Sequence, residues 1–307
     1  SFRSIPFVNH YTTFAEDKVS FHMGKMRTEL QAGLRITQLQ TKALHYTPAV
    51  DPRINLKQIL VEQNKDAMLK HLSIRAGWGL MHKMPVLTYL YPDKSYTDKN
   101  CFTYNDMENG ERLTVMHTFA TDRTFNPKLR LPVNQKLELG LNLQIGQVEA
   151  DIVWFREHLR NGFSTSEQVE PFTYRRYDPL FSKGEHPELT SDGVINNGQP
   201  LPYTTYTTFA TYTSPDNGIE QLKQGIEYTF DMGHWDLLHT SLFISGSYLN
   251  LHEKNTALSA RYPQIEVNGK PYPYVGIYET NSFAANLKVW QQFSTRFQFI
   301  TQLPRIG

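Results

Sequence analysis

Apolar and polar side chains alternate over long stretches of this sequence, most regularly between residues 136 and 154. The apolar positions form two runs, Leu137, Leu139, Leu141, Leu143 and Ile145 followed by Val148, Ala150, Ile152 and Trp154. A period of two residues is the signature of a β-strand. Gly146-Gln147 between the runs suits a type II′ turn, which needs glycine at its first position. The pattern therefore predicts a hairpin in which Ile145 faces Val148 and Leu139 faces Trp154.

A second hairpin with the same geometry is predicted near the start of the chain. Alternating apolar positions run from Tyr11 to Met23 and from Met26 to Ile36, on either side of Gly24-Lys25. A two-residue turn at this point pairs Met23 with Met26, Val19 with Leu30 and Ala15 with Leu34. Each predicted hairpin is apolar on one face and polar on the other, which fixes its register.

Further strands are predicted along the rest of the chain. They cover residues 53–62, 72–80, 218–231 and 238–248, with local strands at 113–120 and 203–212 and an alternating tail from Phe283. Short turns are expected near residues 24, 65, 146, 234 and 292, the last dividing the tail into two strands. Long connections are expected at 39–52, 85–132, 159–216 and 252–282, where prolines such as Pro48 and Pro52 interrupt the alternation.

Short and long connections alternate, so all the long loops are expected at one end of the sheet. Long strands with this asymmetry are typical of outer-membrane barrels, whereas strands of soluble sandwiches usually have about five or six residues. We predict an all-β fold, an antiparallel up-and-down transmembrane β-barrel, partial, with about ten spanning strands. Residues 1–307 are interpreted as one such domain.

Composition excludes some function classes and leaves others open. A net charge near +1 gives no reason to expect nucleic acid as a partner. The single cysteine, Cys101, excludes an internal disulfide framework. No run of about eighteen apolar residues is present, so no membrane-spanning helix is expected. The chain opens at Ser1-Phe2-Arg3 without the features of an export signal, and the expectation is a mature chain or a fragment.

Several short motifs follow one another between about residues 11 and 300: Ala32-Gly33-Leu34-Arg35, Asp51-Pro52-Arg53-Ile54-Asn55, Arg75-Ala76-Gly77-Trp78-Gly79, Lys83-Met84-Pro85, Asn126-Pro127-Lys128-Leu129, Glu138-Leu139-Gly140-Leu141, Gln224-Gly225-Ile226-Glu227 and Ser245-Gly246-Ser247-Tyr248. In this order they resemble TonB-dependent outer-membrane receptors of the Bacteroidetes type. The resemblance implies a plugged barrel of about 22 strands that imports a nutrient with energy supplied through TonB.

The sequence departs from that family pattern. It shows too few strands, no plug domain or TonB box and no final strand ending in an aromatic residue, so it resembles a middle-to-late barrel fragment. The implied location is the bacterial outer membrane. The implied partners are outer-membrane lipid, TonB through the absent plug, a transported siderophore, glycan, peptide or corrinoid, and a surface lipoprotein.

The sequence contains no recognisable catalytic or cofactor motif. The eleven histidines are scattered, and no zinc, phosphate-loop, dinucleotide or nucleophile-elbow pattern is present. We therefore expect no enzyme activity, no metal and no cofactor, and we interpret Cys101 as an ordinary thiol. Glu138, Glu149 and Asp151 are interpreted as solvated groups of a barrel lumen rather than an acid–base pair. Trp78, Trp154 and Trp290 are interpreted as lipid-facing or interfacial residues rather than platforms for sugars.

Tyrosine-rich loops are the remaining candidates for ligand binding. The residues are Tyr89, Tyr91, Tyr96, Tyr104, Tyr203 and Tyr206. Loops carry binding residues more often than the scaffold does, but tyrosines are also ordinary loop residues in large barrels. Two rival functions stay open, a soluble secreted all-β carbohydrate-binding domain and an uncoupled porin-like barrel. The direction of the apolar stripe separates a barrel wall from a sandwich.

Overall fold

The structure is a computed structural model that describes residues 8–62, 67–181, 184–263, 265–279 and 287–302. These residues fold almost entirely into β-strands, with one helical turn and one 3-10 turn, Asp236–Leu238. The elements in chain order are β1 Asn9–Met23, β2 Met26–Gln40, β3 Ala49–Val61, β4 Leu69–His82, α1 Leu87–Leu90, β5 Ser95–Asp106, β6 Glu111–Thr121, β7 Val133–Ile145, β8 Val148–Tyr177, β9 Pro187–Thr190, β10 Gly193–Asn196, β11 Gln199–Pro200, β12 Tyr203–Trp235, β13 Thr240–Asn255, β14 Leu258–Arg261, β15 Glu266–Val267, β16 Lys270–Pro271, β17 Gly276–Glu279 and β18 Leu287–Thr301.

One large antiparallel sheet dominates the fold. Its nine strands follow the order β1-β2-β3-β4-β7-β8-β12-β13-β18. The strands of this sheet therefore lie side by side in the order in which they occur along the chain. Every neighbouring pair is antiparallel. The predicted all-β class and the antiparallel up-and-down arrangement of long strands are confirmed.

Both predicted hairpins have the expected register. Ile145 lies opposite Val148, and Leu139 lies opposite Trp154. In the first hairpin Met23 lies opposite Met26, and the further pairs are Val19 with Leu30 and Ala15 with Leu34. The turn glycines have positive φ angles, +64° at Gly24 and +57° at Gly146, which glycine adopts without steric cost. The alternation of side chains and the turn chemistry together were sufficient to fix these registers.

Short and long connections lie at opposite ends of the large sheet. Residues 24–25, 146–147 and 236–239 connect neighbouring strands at one end, together with the connection after β3. The turn predicted at residues 64–66 falls in that connection and lies outside the described residues. Connections 41–48, 83–132, 178–202 and 256–286 lie at the other end. The predicted asymmetry is confirmed for the nine strands.

The prediction of two strands in the chain's tail was wrong. β18 is continuous and pairs with β13 from Leu287 opposite Lys254 to Thr301 opposite Thr240. The expected turn at residues 291–294 reads Gln-Gln-Phe-Ser, which contains no glycine, proline or asparagine to favour a turn. The alternation also keeps its phase through this segment, since Val289, Phe293 and Phe297 share one face. The large sheet therefore has nine strands rather than about ten.

The prediction of a long connection from residue 159 to 216 was also wrong. β8 continues to Tyr177, and β12 already begins at Tyr203. Beyond the last pairs with β7 and β13, these two strands pair only with each other and form a ribbon, residues 162–177 and 203–216. Each ribbon strand has one open edge, where the missing N–H of proline is tolerated. Pro171 and Pro215 therefore did not end the strands.

Pro52 likewise lies inside a strand rather than in a connection. β3 begins at Ala49, and Pro52 lies opposite Leu34 of β2. The ladder between β3 and β4 begins only at Arg53 opposite Gly79. A proline at this position is therefore outside that ladder, which explains why it does not interrupt β3.

The ribbon carries a compact outer module built from the long connections. β5 and β6 form a hairpin, so the local strand expected at 113–120 has a partner, and β9, β10 and β11 form a small sheet. Aromatic and aliphatic side chains from the hairpin, the ribbon and the small sheet make one buried core: Cys101, Phe102, Tyr104, Val115, Phe172, Tyr174, Tyr177, Val194, Leu201 and Ala210. Much of the fully buried apolar surface of the chain lies here.

Asn126 and Asn217 fasten the outer module to the sheet. Asn217 accepts a hydrogen bond from the Arg130 backbone N–H at 2.7 Å, and its amide donates to the carbonyls of Arg130 and Asn161. Asn126 donates to the carbonyl of Pro215 at 2.9 Å. The motif that begins at Asn126 therefore has a structural role, which is to hold the chain before β7 against the base of the ribbon.

One face of the large sheet is an uncovered apolar surface. A single register row crosses all nine strands without a charged residue: Val19, Leu30, Leu56, Ala76, Leu139, Trp154, Ile226, Tyr248 and Phe293. Leu139 is 48% exposed and Phe293 is 70% exposed. Among the described residues, the strands of the large sheet that the smaller strands contact most are β8 and β12. No second sheet covers this row in the described part of the chain.

The helices of the described residues are short. None of them is long and apolar enough to cross a membrane.

On the opposite, polar face, glycines allow side chains to reach across a strand. Arg75 of β4 forms two hydrogen bonds with Asp151 of β8, both 2.7 Å, and passes over Gly140 of the intervening β7. A Cβ atom at Gly140 would lie 2.5 Å from the Arg75 Nε. Glu16 and Arg53 likewise form an ion pair of 2.6 Å across Gly33, their shared register partner. We call these cross-glycine contacts.

The apolar face contains one contact of the same kind. The hydroxyl groups of Tyr228 and Thr295 form a hydrogen bond across Gly246, which lies between them in register. A Cβ atom at Gly246 would lie 2.5 Å from the Tyr228 hydroxyl oxygen. Cross-glycine contacts connect strands that are next-nearest neighbours, so they brace a sheet that has no second layer in the part of the chain that the structure describes.

Replacing Gly140 with alanine should destabilise the sheet because the new methyl group displaces the Arg75 side chain from Asp151. We expect a loss of about 1–3 kcal/mol in the free energy of unfolding, the usual cost of overpacking. Gly276→Ala is the matched control, since its Cβ atom would meet only one atom, at 3.8 Å. Denaturant unfolding of both variants measures the difference, and equal losses would contradict the bracing role.

Candidate functional site

The structure uses most of the six candidate tyrosines in internal contacts. Tyr104 is buried in the outer module, and its hydroxyl donates to the carbonyl of Glu185 at 2.9 Å. The hydroxyls of Tyr91 and Thr41 lie 3.0 Å apart, and Tyr89 packs edge-on against Phe163. These tyrosines connect loops to one another.

The other candidate tyrosines lie nearer to the surface of the outer module. The guanidinium group of Arg176 lies 4.3 Å above the Tyr206 ring and donates to its hydroxyl. Tyr203 packs against Tyr177 and is 47% exposed, whereas Tyr96 is 65% exposed. The six candidates do not converge on one cavity. Tyr96 and Tyr203 present the largest exposed rings among them.

A groove of about 410 Å³ lies on the large sheet, and most of its lining belongs to the polar face of the first strands. This volume is within the usual range of ligand pockets, about 300–1,000 Å³. Gly33, Gly77 and Gly79 line it, so neighbouring side chains lie flat over β2 and β4. The charged groups around it are Glu16, Arg35, Asp51, Arg53, Lys136 and Glu138.

The charges of the groove form three ion pairs of opposite sign. Glu16 pairs with Arg53, and Lys136 pairs with Glu138 at 2.8 Å. Both pairs are roughly half-exposed. The third carboxylate, Asp51, is almost fully buried and accepts hydrogen bonds from Arg35 and from the backbone N–H of His82. Asp51 therefore holds Arg35 in place, while the other two pairs remain open to solvent.

Two exposed apolar side chains interrupt the polar face at this groove. A few residues of β1, β2, β3, β4 and β7 are apolar although the alternation places them on the polar face. Three of them, Leu39, Ala49 and Ile59, are buried. Phe14 and Met81 also occupy polar positions, yet they are 77% and 54% exposed, and both line the groove. Neither Phe14 nor Met81 was predicted from the sequence as a site residue. The signal was available, since each is an apolar residue out of phase in a regular alternation.

The carboxylates and tryptophans singled out from the sequence are divided between the two faces. Glu138, Glu149 and Asp151 lie on the polar face, and Asp151 is paired with Arg75. Trp78 and Trp154 belong to the apolar face. Trp290, opposite Leu251, lies on the polar face. Trp290 therefore lies on the face opposite to that of Trp78 and Trp154, and its interpretation as a lipid-facing or interfacial residue stays a prediction.

The described residues contain no group of three or more histidine, cysteine, aspartate or glutamate side chains arranged to hold a metal ion. His82 contacts Asp51 at 2.7 Å, and His158 contacts Glu220 at 2.8 Å. Each of these histidines has a carboxylate partner in a neighbouring strand. Both contacts therefore connect strands of the large sheet.

No protein-family model matches the chain, and no curated protein sequence matches it.

Glu167 fastens β14 to the ribbon. Its carboxylate accepts hydrogen bonds from the Ser259 hydroxyl at 2.8 Å and from the Ala260 backbone N–H at 2.6 Å. These two donors hold the pKa of the Glu167 carboxyl below its usual value. Because the folded pKa is depressed, the contact stabilises the docked strand above the usual glutamate pKa and is lost as the pH falls through the lowered value.

We therefore expect acid to release β14 before the large sheet unfolds. Hydrogen exchange measured at a series of pH values should show that the Ala260 amide is protected at neutral pH. This protection should be lost in the acidic range. The Glu167→Gln variant keeps the shape of the side chain but removes the titrating group. Its Ala260 exchange should lack this pH dependence, and an unchanged profile in the variant would refute the assignment.

Cys101 should react slowly with thiol reagents in the folded protein. The residue is buried in the core of the outer module, and burial raises the pKa of its thiol. The thiolate is the reactive form, so both effects slow alkylation. Labelling with iodoacetamide should become fast only in denaturant. Equal labelling rates in native and denatured protein would contradict this placement.

Proposed function

We propose that this chain forms part of the wall of an outer-membrane barrel, in a TonB-dependent receptor that imports a nutrient. The observation that carries the proposal is the uncovered apolar row from Val19 to Phe293. Burying such a row in lipid removes it from water at about 25 cal/mol per Å² of apolar surface. A monomeric soluble protein rarely exposes a continuous apolar surface of this extent.

The hydrogen bonding of the sheet supports the same proposal. A lipid environment requires every backbone N–H and C=O group to be satisfied internally, and long antiparallel ladders do this. The central strands are paired on both sides over most of their length. Several charged side chains of the opposite face form ion pairs, which suits a polar lumen wall.

The placement of the connections supports a defined orientation. The short connections on one side correspond to periplasmic turns, and the outer module on the other side corresponds to extracellular loops. In this proposal the plug that couples to TonB, and the strands that continue beyond β1 and β18, belong to other parts of a longer receptor. A surface lipoprotein is a further partner that the resemblance suggests.

The soluble carbohydrate-binding domain is the less favoured alternative. A sandwich buries its apolar face against a second sheet, and no second sheet covers the apolar row among the described residues. The uncoupled porin-like barrel uses the same wall. Dependence of nutrient uptake on TonB separates it from a coupled receptor.

Quenching of a probe on each face tests the membrane proposal. In a Cys101→Ala background, the substitutions Leu139→Cys and Gln144→Cys each provide one thiol for a fluorescent label. The two labels lie on opposite faces of the same strand, β7. In lipid vesicles, lipids with a bromine-labelled chain should quench the probe at position 139, and aqueous iodide should quench the probe at position 144. Quenching of both probes by iodide alone would refute insertion of this sheet into lipid.

A further inference from the structure

The groove on the polar face combines open ion pairs with exposed apolar side chains. Arg53, Glu16, Lys136 and Glu138 are each between about two-fifths and just over half exposed. Phe14 and Met81 provide the apolar surface beside them. We propose that this groove binds a short zwitterionic peptide with apolar side chains.

The balance of charge selects for a zwitterion. Three cationic and three anionic side chains line the groove, so their formal charges cancel. A purely anionic ligand meets Glu16 and Glu138 as well as Arg53 and Lys136, and a purely cationic ligand meets the same conflict. A ligand that carries an ammonium and a carboxylate group satisfies both signs together.

The open pairs can exchange partners at little cost. Exposed salt bridges contribute only about 0–1 kcal/mol, because water and mobile ions screen them. A ligand carboxylate can therefore take the place of Glu16 on Arg53 or of Glu138 on Lys136, while a ligand ammonium binds the released carboxylate. Arg35 differs, since its partner Asp51 is only 4% exposed at the side chain and holds it firmly.

The apolar residues indicate what separates the charged ends of the ligand. Phe14, Arg35 and Asp51 are successive register partners across β1, β2 and β3. Met81 lies at the end of β4, next to His82, whose backbone N–H binds Asp51. Phe14 and Met81 thus flank the firmly held Arg35–Asp51 pair. Apolar side chains of a peptide fit against both residues, whereas an uncharged sugar offers no charged group to the open ion pairs.

This proposal rests on the proposed function in one respect, since the peptide is the transported nutrient only if the polar face lines a lumen. Binding itself does not require a membrane. If the peptide binds but the lipid does not quench the probe at position 139, only the transport proposal is refuted. If the lipid quenches that probe but the peptide does not bind, only the peptide proposal is refuted.

The test is calorimetric titration of the complete chain in detergent with trileucine. Two matched ligands keep the leucines and remove one charge each, N-acetyl-trileucine and trileucinamide. We expect trileucine to bind and each blocked form to bind about threefold more weakly, a loss of about 0.7 kcal/mol, which is within the range of an exposed ion pair. Absence of trileucine binding, or equal binding of the three ligands, would overturn the proposal.

Substitutions then locate the site. Phe14→Ala removes a largely exposed ring from an edge strand, and we expect it to weaken trileucine binding about tenfold. Phe293→Ala is the matched control, since it removes a ring of similar exposure from the other edge strand and the apolar face. Lys136→Gln should weaken binding of trileucine more than binding of trileucinamide, which lacks the carboxylate. Equal effects of Phe14→Ala and Phe293→Ala would overturn the assignment to this groove.

Discussion

The large sheet depends on a constraint that a two-layer protein does not face, because among the described residues its apolar face has no covering layer. Packing between layers normally supplies most of the stability of a β-domain. Here the continuous antiparallel ladders and the contacts between side chains within each face must hold the strands together. The cross-glycine contacts meet this need, since each couples two strands separated by a third. Arg75 and Asp151, placed on either side of Gly140, are the clearest example.

Glycines of the polar face also shape the candidate binding surface. A Cβ atom at Gly77 would lie 2.9 Å from the Asn55 Oδ1 and would displace it, and a Cβ atom at Gly33 would lie 3.4 Å from the Glu16 Oε2. With glycine at these positions, charged side chains lie along the wall instead of pointing away from it. The Glu16–Arg53 pair, which crosses Gly33, is therefore also part of the charge pattern that a ligand meets.

The outer module is organised by different physics. Its aromatic core buries Phe172, Tyr174 and Tyr177 together, and this packing orders long connections that have little regular pattern. Glu167 and Asn217 add hydrogen bonds to backbone groups at its base. Several tyrosines that suggested ligand binding are occupied in this way, because a long loop must bury apolar surface of its own to stay ordered.

The sequence by itself determined most strands of the large sheet, the two hairpin registers and the separation of short turns from long connections. These features depend on local alternation and on glycine at tight turns, both of which are visible within a few residues. The sequence did not determine where β8 and β12 end or whether β18 divides. Proline was read as a strand breaker, and only the pairing shows that Pro171 and Pro215 lie on open edges. Tertiary structure alone brought Phe14, Arg53, Met81 and Lys136 to one groove, because four different strands contribute them and their proximity follows from the order of strands in the sheet.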